Sequence, residues 1–219
     1  MFILADKVFI HIVQDRTSSA TREKIENHID KASEIWDIRF EVRYGSFPHF
    51  SNTEKTDPEV PVGPSDTNDP AYPGGCYIDR QPNLLCSNRV IYNTVRGSRN
   101  RDFPDADIII LYSSGRYFAD EITQAVSYDM NREYPYFIHM SDGSFESDYI
   151  MAHEIGHIFN YTNRFDNKNE ANPYKNPETG EIDYAHNNDP NNIMYPIVGP
   201  NPSVTEEQRA KALESRIIK

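Results

Sequence analysis

Residues 153–157 read His-Glu-Ile-Gly-His, and no other stretch of the chain restricts its fold and chemistry so tightly. On an α-helix, positions i and i+4 fall on one face about a turn apart, so His153 and His157 can ligate one metal ion. Glu154 is rotated by about 100° from His153 and can flank the ion as a base without occupying a coordination position. Two imidazoles with such a carboxylate form the arrangement a zinc hydrolase needs. The bland alternative is a surface helix carrying two stray histidines, and the flanking sequence weighs against it.

The flanks predict a helix over Ser144–Phe159. Asp142, Ser144 and Ser147 offer caps at its start, and Glu146 and Asp148 suit the positive end of its dipole. Ile150, Met151, Ile155, Ile158 and Phe159 supply an apolar surface. Gly156 costs roughly 1 kcal/mol relative to Ala inside a helix, which leaves two readings, close packing against it or a merely tolerated Gly, with close packing favoured. Asn160 is the expected stop, since Asn tolerates the left-handed conformation that reverses a chain.

Upstream, the apolar run Lys7–Val13 predicts a central strand containing a structural His11. Ile25, Ile29, Ala32, Ile35 and Trp36 recur at helical spacing over about 20–36. Residues 38–44 alternate, predicting a strand with one buried face. Together these make a β-α-β unit. Residues 45–88 lack periodicity and read as a long insertion, a solvated loop or a cleft wall. Short strands are expected at 89–95, 107–112, 121–128 (an edge) and 136–140, with His139 structural. Residues 160–192 show no regular element. Thr205-Glu-Glu-Gln208 is a capping box opening a final helix to about Arg216, with Ala210, Leu213 and Ile217 on its buried side.

At 219 residues with a net charge of −12, one domain with a sizeable core is expected. The reading divides it into 1–160, ending in the motif helix, and a C-terminal subdomain, 161–219. The acidic balance argues against nucleic acid or an anionic membrane as partner. No apolar run approaches the ~20 residues of a membrane span. The apolar start reads as a strand and not a signal peptide. Cys76 and Cys86 compete between a disulfide, free thiols and a metal-directed thiolate. A disulfide is favoured and would imply an oxidising destination, because a lone C-x9-C pair makes a poor zinc site.

His153–His157 followed by Asn192-Ile-Met-Tyr-Pro196 resembles the metzincin clan of zinc metallopeptidases. Met194 matches that clan's Met-turn, and Met-Tyr-Pro is especially like the matrixin branch. The resemblance implies an α/β zincin-like fold: a twisted, mostly parallel sheet with an antiparallel edge strand, two helices on it, and an irregular C-terminal part closed by a helix. One departure stands out. The clan continues after its second His as x-x-Gly-x-x-His, or with Asp in last place, whereas here those positions are Asn160 and Asn163. An amide oxygen is a weaker zinc ligand than imidazole or carboxylate. Four arrangements stay open, in this order: Asn163 ligates; Asp166 replaces it; a distant group such as His186, Glu170, Glu178 or Glu181 completes the site; or the site is degenerate.

By that resemblance, Glu154 is the general base of a zinc endopeptidase. Gln124, Ala125, Val126 and Ser127 lie on the edge strand to which an extended peptide adds. Tyr195, Pro196 and Ile197 line the pocket after the cleaved bond, with Tyr195 given a packing role first. The implied protein is a monomer acting on peptide or protein substrate, secreted or delivered outside the producing cytoplasm, as a toxin or effector domain would be. The alternatives are a zincin-fold binding protein without useful metal, which the intact Glu154 disfavours, and an aminopeptidase with a distant Glu ligand, which Met194 disfavours. Oxygen ligands for Ca2+ are plentiful in 166–192, but no loop there has calcium-binding spacing, so a solvated loop is the default.

Overall fold

The computed structural model describes residues 7–14, 18–45, 76–78, 84–86, 97, 99–113, 123–128, 135–160 and 170–219. The chain divides into two compact units. One holds Met1–Val8, Glu23–Phe40 and Phe145–Lys219; the other holds Phe9–Arg22 and Glu41–Ser144.

A five-stranded sheet is built from β1 (Lys7–Gln14), β2 (Arg39–Gly45), β5 (Ile108–Ser113), β6 (Ala125–Tyr128) and β7 (Tyr136–Ser141) in the order β2-β1-β5-β7-β6. β1 and β5 pair in parallel, Ile10 opposite Ile108, and β5 and β7 pair in parallel, Ile108 opposite Tyr136. Every residue of β5 and β7 is buried, as an interior parallel strand requires and as their largely apolar sequences imply. β6 closes one edge antiparallel to β7, with Ala125 opposite Met140. β2 ends the sheet on the other side. The alternation in 38–44 predicts one buried face, but β2 is half-buried or exposed throughout and only Ile38, just before it, is fully buried. A terminal strand has a neighbour on one side only, so the hydrophobic pattern overstates its burial. His11 and His139 are core residues, as expected, and His139 Nε2 lies 2.8 Å from Ser113 Oγ.

The insertion contributes a two-stranded antiparallel ribbon, β3 (Cys76–Ile78) and β4 (Leu84–Cys86), whose register sets Cys76 opposite Cys86. The strand expected at 89–95 lies outside the described residues.

The other unit is organised around two helices, α1 (Arg22–Trp36) and α2 (Ile150–Asn160). α1 buries Ile25, His28, Ile29, Ala32, Ile35 and Trp36, the stripe its spacing predicts. It ends at Asp37, which takes a positive φ of 55°. α2 ends at Asn160 as expected but begins at Ile150, not Ser144, because Asp142–Glu146 winds as a 3-10 helix. Asp142 is engaged elsewhere: its carboxylate accepts from Ser18 Oγ at 2.6 Å and from the Ser19 amide at 2.9 Å.

The texture of 160–192 reads as structureless, yet it contains a hairpin of β8 (Pro173–Lys175) and β9 (Ile182–Asn187). Its turn has a local cause. Asn176 Oδ1 accepts from the amides of Glu178 and Thr179, and Gly180 adopts φ 73°, open to a residue without Cβ. The last helix, α3 (Glu206–Leu213), opens with the expected capping box, Thr205 and Gln208 each bonding the other's backbone. Its buried side differs from the expectation. Gln208 and Ala212 face inward, with Ile217 beyond the helix, while Ala210 and Leu213 are exposed.

Candidate metal centre

α2 is fixed before any ligand is considered. The Trp36 indole N–H donates to the Ala152 carbonyl at 2.8 Å, and the Trp36 ring meets Phe159 edge-on, centroids 5.3 Å apart. Gly156 is the contact point. A Cβ built there would collide with the Met194 sulfur and lie 2.7 Å from Trp36 Cζ2. The missing side chain therefore lets Met194 and Trp36 close against the helix that carries both motif histidines.

His153 and Glu154 are each only 5% exposed. His153 Nδ1 lies 2.7 Å from the Ile193 carbonyl. A carbonyl can only accept, so the shared proton sits on Nδ1 and the lone pair is left on Nε2. His157 Nε2 lies 3.1 Å from that atom. Nitrogens about 2.0–2.1 Å from a tetrahedral zinc stand roughly 3.3–3.4 Å apart, so the pair is spaced for one ion.

The third imidazole comes from β9. Nitrogens of His153, His157 and His186 all lie within 4.8 Å of one another, the one such group among the described residues. The His186 ring stacks on His153 at 5.3 Å and meets His157 edge-on at 5.0 Å. Its Nδ1 lies 3.1 Å from Asp183 Oδ2, while Asp183 Oδ1 accepts from the Ala185 amide at 2.9 Å. An ionised carboxylate only accepts, so here too the proton is on Nδ1 and Nε2 carries the lone pair.

Charge reinforces the arrangement. Burial, then repulsion from His186, lowers the His153 pKa to about 4, against a smaller opposing effect of the Ile193 carbonyl. Burial and the other two imidazoles push His157 well below its ordinary value. Neutral imidazole is the form that ligates, so this donor set fits a zinc ion.

A hydrogen-bonded frame holds the turn beneath. The Asn187 amide donates to the Met194 carbonyl at 2.7 Å, and the Met194 amide donates to Asn192 Oδ1 at 2.9 Å. Gln208 Nε2 donates to Glu170 Oε1 at 2.8 Å and to Asn192 Oδ1 at 3.0 Å, and Asn187 Nδ2 donates to Glu170 Oε2 at 2.9 Å. All four side chains are buried, and each has a partner within the group.

No protein-family model matches the sequence, and neither does any curated protein. Among solved structures the chain is similar to metalloproteinase-II from Bacteroides fragilis, with a TM-score of 0.55 and 12% identity, over 96% of this chain and 53% of that one. The fold is metalloproteinase-like. At this identity the likeness concerns fold alone, and the chain spans about half the length of that neighbour.

On this metalloproteinase-like fold the sequence-derived residues fall as follows. His153, Glu154, His157 and Met194 are brought together in one unit. Asn163 and Asp166, ranked first and second as third ligand, lie outside the described residues. Tyr195 packs edge-on against Tyr174 with centroids 5.5 Å apart, consistent with a packing role, and Ile197 is 78% exposed. Gln124, Ala125, Val126 and Ser127 lie on or next to the edge strand β6 in the other unit. Sequence reasoning placed His186 third and did not single out Asp183 or Asn187. The signal was the turn Asn176–Gly180 followed by Ile182, Tyr184 and His186 at strand period.

Proposed function

We propose that this chain is a zinc-dependent peptidase whose ion is held by Nε2 of His153, His157 and His186. The supporting observation is the convergence of three histidine side chains, two of them with Nδ1–H held by an acceptor, beside a buried glutamate. When bound, zinc lowers the pKa of a coordinated water to about 7 and polarises the substrate carbonyl. Glu154 takes a proton from the attacking water on its carboxylate and delivers it to the departing amine. Burial of Glu154 keeps bulk water from competing for that proton. Strand β6, at the end of the sheet order, is the strand to which an extended peptide would add. The Met-Tyr-Pro string at 194–196, read as a Met-turn, supports a metzincin-like form of this peptidase. A disulfide between the facing Cys76 and Cys86 and action outside the producing cytoplasm complete the reading.

The test is zinc content after exhaustive dialysis, with peptide cleavage measured alongside. About one zinc per chain, with Glu154→Ala retaining the ion and losing cleavage by ~10²-fold or more, supports the peptidase. A folded wild-type protein that retains well under a tenth of a zinc would move the assignment to a binding protein of the same fold.

A further inference from the structure

The geometry points to Asp183 as the residue that positions His186 for metal, acting through the ring and not touching the ion. The inference rests on the His186 ligand reading. Asp183 and His186 lie three apart on β9, and one carboxylate holds two points on the strand. Oδ1 accepts from the Ala185 amide at 2.9 Å and Oδ2 faces His186 Nδ1 at 3.1 Å. Because one oxygen is pinned by the backbone, the other has a fixed direction, and the imidazole must turn its Nε2 toward His153 and His157. Both side chains are only about a fifth exposed, His186 22% and Asp183 19%, so water competes poorly for the contact.

The other ring whose acceptor is defined, His153, is held by a neutral carbonyl. Asp183 is thus an anionic orienting group. Such partners fix the tautomer, raise the basicity of the ligating nitrogen, and typically change metal affinity 10–100-fold. An asparagine here cannot reproduce the contact. If its oxygen keeps the Ala185 amide, its NH₂ group faces Nδ1 and selects the opposite tautomer, with the proton on Nε2.

The experiment uses the full chain and compares wild type, Asp183→Asn, Asp183→Ala and His186→Ala. Zinc affinity is measured by competition with a chromophoric chelator. Thermal unfolding and histidine nitrogen NMR are recorded on the metal-free proteins. The expected result is roughly 10–100-fold weaker zinc binding for both Asp183 variants, metal-free melting unchanged in Asp183→Asn, which keeps the acceptor for the Ala185 amide, and a shift of His186 from the Nδ1–H to the Nε2–H tautomer in that variant. Unchanged affinity in the Asp183 variants, with His186→Ala losing zinc, overturns the role of Asp183 and leaves the site intact. A melting point that drops in step with affinity, with the tautomer unmoved, overturns it as well, making Asp183 a strut of the hairpin. Wild-type affinity in His186→Ala overturns the ligand reading itself, and this inference with it.

Discussion

The backbone amide of Asn187 donates to the carbonyl of Met194 at 2.7 Å, tying the strand that carries His186 to the turn whose Ile193 carbonyl holds His153. Two of the three histidines are therefore positioned by one short backbone segment.

Which residue completes the triad is decided by two substitutions. His186→Ala should abolish zinc retention and cleavage together, whereas Asn163→Ala should leave both within about twofold of wild type, as expected away from the ligand set. The reverse pattern would restore Asn163 as the ligand.

Gly156→Ala gains about 1 kcal/mol of helix propensity but drives a Cβ into Met194 and Trp36. Overpacking typically costs about 1–3 kcal/mol, and here the clash involves an indole that cannot retreat, so a net fall in melting temperature of several degrees is expected. Adding Met194→Ala should make the pair less destabilising than the sum of the singles, since the new methyl enters the vacated space. Additive losses, read from denaturant titrations, would disprove the contact.

Gln208→Leu removes the donor that serves both Glu170 and Asn192. Leaving a buried carboxylate short of a partner costs about 2–3 kcal/mol, and the slackened turn should also weaken zinc binding. Glu206→Gln, exposed on the same helix, should stay within about 0.5 kcal/mol. Chemical denaturation at neutral pH separates the two.

Acid should destabilise the metal-free chain through three histidines outside the site. Burial lowers His11 and His28 from 6.5 to about 4 and His139 to about 3. For a histidine held neutral, the unfolded chain binds protons first. Its contribution is full above about pH 6.5 and is lost as pH falls toward 4, at up to about 1.4 kcal/mol per unit for each group. His139→Gln should flatten that slope by up to one proton when unfolding free energy is followed from pH 7 to 5. An unchanged slope would contradict the burial argument.

The sequence shows those features whose cause is local. The largely apolar runs of β5 and β7, the stop at Asn160 and the Thr205–Gln208 capping box each follow from neighbouring residues alone. The start of α2 is not legible there because Asp142, a good cap by type, is engaged by Ser18 and Ser19, far away in the chain. The hairpin of β8 and β9 leaves no hydrophobic signal because its strands are polar and short, so its pairing and not its hydrophobicity defines it. Gln208 reads as a capping residue, and its Oε1 does accept from Thr205. Its Nε2, however, reaches Glu170, a partner that no local pattern announces.

Because the strand that carries His186 is tied through Asn187 to the Met194 carbonyl and to Glu170, the length of chain separating it from His157 does not set the distance between the two rings. The position of His186 is modular. Wherever such a connection is a flexible loop, each doubling of its length costs only roughly 0.6 kcal/mol. A family built on this plan is free to vary its length there while its chemistry stays in place.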